Sequence, residues 1–190
     1  MRARLLAAVV SLAAVVGCSD DGGGAGGSED TSASSPVDRS TLEFAPVPEQ
    51  LDIGAVPDAC GLLSPAQRDE LGLPVTSSDS PRTCDLGTAE NSHLLSIHTE
   101  LSRLDRVHSN CYESETENDV SPCDSWTADT IDGYPIIRAP ADSGFGVLCN
   151  LYLGVNDRSS IMILDGQVHK GGPDCTVADK AATFILETLR

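Results

Sequence analysis

Phe145-Gly146-Val147-Leu148-Cys149-Asn150-Leu151-Tyr152-Leu153-Gly154-Val155, followed after Asn156-Asp157 by Ser159-Ser160-Ile161-Met162-Ile163-Leu164, reads as two β-strands joined by a turn. Val147, Cys149, Leu151 and Leu153 fall on one face, while Asn150 and Tyr152 take the other. Asn and Asp supply the backbone freedom that a hairpin turn needs. Cys149 therefore points into a core.

C-terminal to this hairpin, Asp174-Cys175-Thr176 opens a helix with Thr176 and Asp179 as its expected cap. Val177, Ala181, Phe184, Ile185 and Leu189 follow at helical spacing, an apolar stripe that a sheet face must cover. N-terminal to the hairpin, His93 to Leu101 alternates with Leu95, Ile97, Thr99 and Leu101 on one face, and Tyr134 to Ala139 and Arg82 to Leu86 give shorter strands. Ser64, Pro65 and Gln67 form a capping box with proline at the first helical position, which predicts a short helix from Pro65 to about Leu71, stopped by Gly72. The expected fold is α+β: a mainly antiparallel sheet of about four to six strands, the short N-terminal helix, and the C-terminal helix packed on one face.

At the N-terminus, Arg2 and Arg4 precede an apolar run from Leu5 to Val16 that is short for a bilayer span and has the make-up of a signal peptide. The run ends Val15-Val16-Gly17-Cys18, which resembles the bacterial lipobox; the resemblance implies removal of residues 1–17 and lipidation of Cys18. Residues 18–56 then form a tether rich in Gly, Ser, Asp, Pro and Thr, unable to bury enough surface to offset chain entropy. Such a coil reaches ~35 Å r.m.s.. It holds a single globular domain, residues 57–190, off the outer face of the cytoplasmic membrane. Loss of Arg2 and Arg4 moves the formal charge from −17 to −19, and the few remaining cations, Lys170, Lys180 and scattered arginines, cannot neutralise a run of phosphates. Nucleic acid is thereby excluded as a partner. The acidity also repels an anionic lipid surface, so attachment to the membrane rests on the acyl chains at ~0.8 kcal/mol per buried methylene.

With Cys18 assigned to lipid, Cys60, Cys84, Cys111, Cys123, Cys149 and Cys175 remain. An even number beyond a signal peptide points to disulfides in an oxidising compartment. No Cys-x2-Cys or His-x3-His spacing offers zinc a site. The sequence alone does not choose among the possible pairings. The sequential set, Cys60–Cys84, Cys111–Cys123 and Cys149–Cys175, is the expectation drawn from the elements. Cys84 lies close enough to staple the first helix to the sheet, and Cys175 at the head of the last helix can bridge to Cys149 beneath it. Cys111 to Cys123 closes an acidic loop, a cross-link worth roughly 3 kcal/mol in the chain-entropy model.

Pro57-Asp58-Ala59-Cys60-Gly61-Leu62-Leu63-Ser64-Pro65, then Cys84, Gly133-Tyr134-Pro135, Cys149 in a strand, and Pro173-Asp174-Cys175 opening an Ala-rich helix, taken in order, resemble the actinobacterial lipoprotein family catalogued as domain of unknown function 3558. The resemblance spans the folded region and implies location and fold; it carries no activity. Between Arg103 and Thr130 it implies a longer amphipathic helix, where this chain has its Cys111 and Cys123.

Catalytic patterns are missing: there is no Gly-x-Ser-x-Gly elbow, P-loop, His-Glu-x-x-His or dinucleotide-type glycine run. Asp142-Ser143-Gly144-Phe145-Gly146 reads as a turn into the following strand rather than a nucleophile loop. His93 and His98 fall on opposite faces of one strand, and His108 and His169 in expected loops, so all four read as isolated surface residues. Glu113, Glu115, Glu117, Asp119 and Asp124 carry the oxygens that calcium takes, yet the Asp-x-Asp-x-Asp-Gly spacing and a following bidentate Glu are missing. A solvated acidic loop is the expectation, with no cofactor. Trp126 is expected to pack on the small core. Two function classes survive: a non-catalytic envelope module binding a protein, a cell-wall polymer or a small hydrophobic molecule, and, as the alternative, a cell-envelope hydrolase whose site is assembled from residues distant in sequence.

Overall fold

In the computed structural model the described residues are 43–88, 93–113, 125–142, 147–167 and 175–190. Among these residues seven strands form one antiparallel sheet: β1 (Val75–Ser80), β2 (Thr83–Gly87), β3 (His93–Ser102), β4 (Thr127–Ile131), β5 (Tyr134–Asp142), β6 (Val147–Gly154) and β7 (Ser159–Gln167), ordered β1-β2-β3-β7-β6-β5-β4. Two meanders, β1-β2-β3 and β4-β5-β6-β7, are zipped together by the pairing of β3 with β7. Among the described residues three α-helices accompany them: α1 (Pro65–Glu70), α2 (Leu104–Glu113) on the connection from β3 to β4, and α3 (Thr176–Leu189) after β7.

The register aligns the core. Leu86, Leu95, Asp165 and Cys149 stand in one row across four strands, and Cys84, Ile97, Ile163 and Leu151 in the next. Directly opposed residues share a face, so these rows build one largely apolar layer into which the Asp165 carboxylate is set. Over it α3 lies against β6 and β7, burying Ala178, Ala181, Ala182, Ile185 and Leu186. The alanines let helix and sheet approach closely, while burial of Ile185 and Leu186 contributes ~2 kcal/mol each. On the opposite face α2 packs against β3 and β6. Gly154 admits it: a Cβ there would lie 2.9 Å from Leu104 Cδ1 and 3.1 Å from Pro135 Cγ.

Local chemistry closes the elements. Ser64 Oγ accepts the Gln67 N–H at 3.3 Å while Gln67 Oε1 accepts the Ser64 N–H at 2.8 Å, Pro65 starts α1, and Gly72 ends it at φ 74°. Asp132 and Gly133, at φ 51° and 83°, make the two-residue turn between β4 and β5 that a right-twisted hairpin requires. Cys149 is bonded to Cys175 (Cα–Cα 5.4 Å), which pins the head of α3 onto β6, and Cys60 to Cys84 (4.9 Å), which pins the 3-10 turn Ala59–Leu62 onto β2. Cys111 on α2 is disulfide-bonded as well; Cys123 lies outside the described residues.

Several expectations are corrected. Among the described residues the sheet has seven strands, not four to six, because its two edges, Val75–Ser80 and Thr127–Ile131, are short, mostly polar and show no apolar alternation. Thr176 is not the cap of α3: the N-cap is Cys175, without a side-chain cap hydrogen bond, and Asp179 is instead held by Arg138 of β5 at 3.0 Å. The fold also begins before residue 57. Leu51 is buried and donates its N–H to Val155 O at 2.9 Å, while Val47, Ile53 and Val56 pack against the core. Isolated apolar residues amid Pro and Asp were enough to tie down a segment whose composition reads as tether.

Candidate functional site

At the end of the sheet where β6 turns into β7, the segment 43–58 crosses the fold as a strap, and Asn156 fastens it. Its Nδ2 donates to Leu51 O at 3.0 Å, while its Oδ1 accepts Arg158 N, Ser159 N and Ser159 Oγ, each at 2.9 Å. Asp157 N adds a bond to Gln50 Oε1 at 2.8 Å. A cleft lies on either side of this fastening, one of about 350 Å³ beside Phe44 and Leu104, and a larger one of about 540 Å³. The larger is within the size range of small-molecule sites.

Its walls are tied in place by hydrogen bonds. Asp52 Oδ1 accepts Gly54 N–H and Asp58 Oδ1 accepts Gly61 N–H, both at 2.9 Å, so each carboxylate caps a 3-10 turn. Ala59 N–H reaches Pro81 O at 2.8 Å, and Thr99 N–H reaches Arg82 O at 2.9 Å. Ile53, Val56 and Leu62 give apolar surface, and Arg82 brings a cation. Preformed walls with a few fixed polar groups suit recognition.

The second sheet face carries an aromatic series. Tyr152 on β6 lies 5.6 Å from the Trp126 ring, Trp126 lies 6.4 Å from His108 on α2, and His108 lies 6.2 Å edge-on from Phe44 of the strap. Trp126 thus packs between helix and sheet. His108 is 3% exposed, and burial pushes its pKa below the ordinary value; burial likewise raises that of Tyr152. His108 was expected in a surface loop. Leu104, Val107, His108 and Cys111, spaced i, i+3, i+4 and i+7, carry the helical signal that places it inside instead.

His93 is not an isolated surface residue either. Its Nε2 lies 2.5 Å from Oδ1 of Asp165, whose side chain is 1% exposed. The sequence signal for Asp165 is the alternation Ile161, Ile163, Asp165, which sets a carboxylate on the core face. His98 sits on β3 on the face opposite His93. Cys18, Glu115, Glu117, Asp119, Asp124, His169 and the segment Ser143 to Gly146 lie outside the described residues, as does the side chain of Glu113.

A seven-stranded sheet with a helix on each face, disulfide staples and a strapped polar cleft defines a small α+β module. The family model Protein of unknown function (DUF3558) matches residues 13–188, and the chain belongs to that family. No curated protein and no solved structure matches it.

Proposed function

We propose that the chain is a lipoprotein, cleaved before Cys18 and lipidated there, whose stapled domain is a non-catalytic binding module on the outer face of the cytoplasmic membrane. The observation that carries the binding role is the larger cleft, because both of its carboxylates serve as helix caps rather than as poised acids or bases. Capture of envelope components by the mature chain tests it. A glycan, peptide or protein retained by the wild type and lost with Thr99→Trp, which fills the cleft, supports the reading. Equal retention by a variant that still melts cooperatively contradicts it.

One observation favours a hydrolase as the second reading. A buried carboxylate orienting a partly exposed imidazole, as Asp165 does His93, is two-thirds of a nucleophile-activating relay. Turnover of chromogenic esters or amides that disappears in His93→Gln would select it over binding alone.

A further inference from the structure

We propose that the socket beside the β6–β7 turn is a peptide-docking site, filled within one chain by its own strap and filled in trans by the strap of a second copy. Leu51 sits there as a bound peptide does. Its side chain is buried, its N–H donates to Val155 O at 2.9 Å, and its carbonyl accepts Asn156 Nδ2 at 3.0 Å. Beside it Gln50 Oε1 accepts the Asp157 N–H at 2.8 Å. In this mode of recognition main-chain hydrogen bonds supply affinity and a side-chain pocket supplies specificity. Leu51 and Asn156 are 105 residues apart in sequence, so none of these bonds needs strap and socket to belong to one chain. A second copy presents the same Gln50 and Leu51 and forms the same bonds. Residues 52–59 are the hinge. Asp52 caps its own turn through the Gly54 N–H, a bond that travels with the segment, and the Cys60–Cys84 bridge ends the hinge so that the body stays closed when the strap swings out. Eight extended residues reach about 28 Å, so the receiving body stands adjacent, and reciprocal exchange closes a symmetric pair. In dilute solution the strap in cis prevails, held at an effective concentration of about millimolar. Lipidation at Cys18, proposed above, crowds copies on one surface and shifts that balance; the socket itself does not depend on it.

Two variants of the full mature chain separate strap from socket. Leu51→Ala spoils the strap and leaves the socket whole, while Asn156→Ala does the reverse. A fluorescent peptide of residues 43–58 should bind the Leu51→Ala chain saturably in anisotropy titrations. It should bind the wild type about tenfold more weakly or less, because the strap in cis competes. The same peptide with its own Leu51→Ala should not bind. Mixing the two variant chains at micromolar concentration should give a hetero-pair in sedimentation, since one intact strap meets one intact socket, while each variant alone stays monomeric. Should Leu51→Ala fail to melt cooperatively, Leu51→Val takes its place in every arm. Absence of saturable peptide binding overturns the proposal, as does equal binding of the peptide without its leucine. Peptide binding without a hetero-pair overturns the exchange between copies, and pairing of either variant alone does so too, because it runs through another surface. Each of these failures leaves envelope capture and its sensitivity to Thr99→Trp to be judged separately.

Discussion

Replacing Cys149 and Cys175 together by alanine cuts the covalent tie between the head of α3 and β6. The bridged residues are 26 apart in sequence, for which the chain-entropy relation gives about 3.6 kcal/mol. Cys60 and Cys84, 24 apart, give about 3.5 kcal/mol, so loop closure alone does not separate the two staples. What separates them is the cargo. The Cys149–Cys175 bridge anchors the helix that buries Ala178, Ala181, Ala182, Ile185 and Leu186, whereas the other anchors a four-residue turn. At ~3 °C per kcal/mol for a domain of this size, melting of the oxidised mature chain should fall by about 10 °C. Exchange of the α3 amides should rise with it, ahead of the strand amides. A loss of less than ~3 °C, about 1 kcal/mol, or α3 amides as protected as in the wild type, would show that the bridge does not anchor α3. In that event packing alone would hold the helix.

Three further outcomes follow from the packing. Asn156→Ala removes the side-chain bond to Leu51 O and the turn bonds to Arg158 and Ser159, and should cost roughly 1–3 kcal/mol, exposing residues 43–56 to limited proteolysis; an unchanged cleavage pattern would show that Leu51 burial and the remaining backbone bonds suffice. Arg138, which grips Asp179 through Nε and Nη2 and Asp129 through Nη1, should cost about 1–2 kcal/mol when changed to alanine in denaturant melts, and Lys should restore only part because it lacks the planar fork. Burial favours neutral His108, so its contribution is intact above about pH 6.5 and is lost as pH falls through its lowered folded value. The acid limb of stability against pH should therefore flatten in His108→Phe, and an unaltered slope would contradict the burial.

The centre of the sheet was legible because its strands alternate cleanly. Cys149, Leu151 and Leu153 against Ile161 and Ile163 leave no other face for the core. The capping box of α1 and the apolar stripe of α3 were equally plain. The edges were not, since Thr-Ala-Asp-Thr-Ile gains its strand conformation from pairing with β5 rather than from its own pattern. The cleft was invisible for a different reason. Asp52, Asp58, Arg82, Thr99 and Asn156 are spread over more than a hundred residues and meet only through the strap and the turns. The pairing of His93 with Asp165 was hidden likewise, because it depends on the register of β3 against β7.

The most direct test of the account is where Cys18 puts the protein. Cells expressing the full chain or its Cys18→Ser variant are fed a fatty-acid analogue, and membrane and soluble fractions are compared. The wild type should carry label, run at the size of a chain beginning at Cys18, and stay with the membrane after salt extraction, while the variant should be unlabelled and unprocessed at that site. Undiminished label on Cys18→Ser, or an unlabelled wild type, would contradict it.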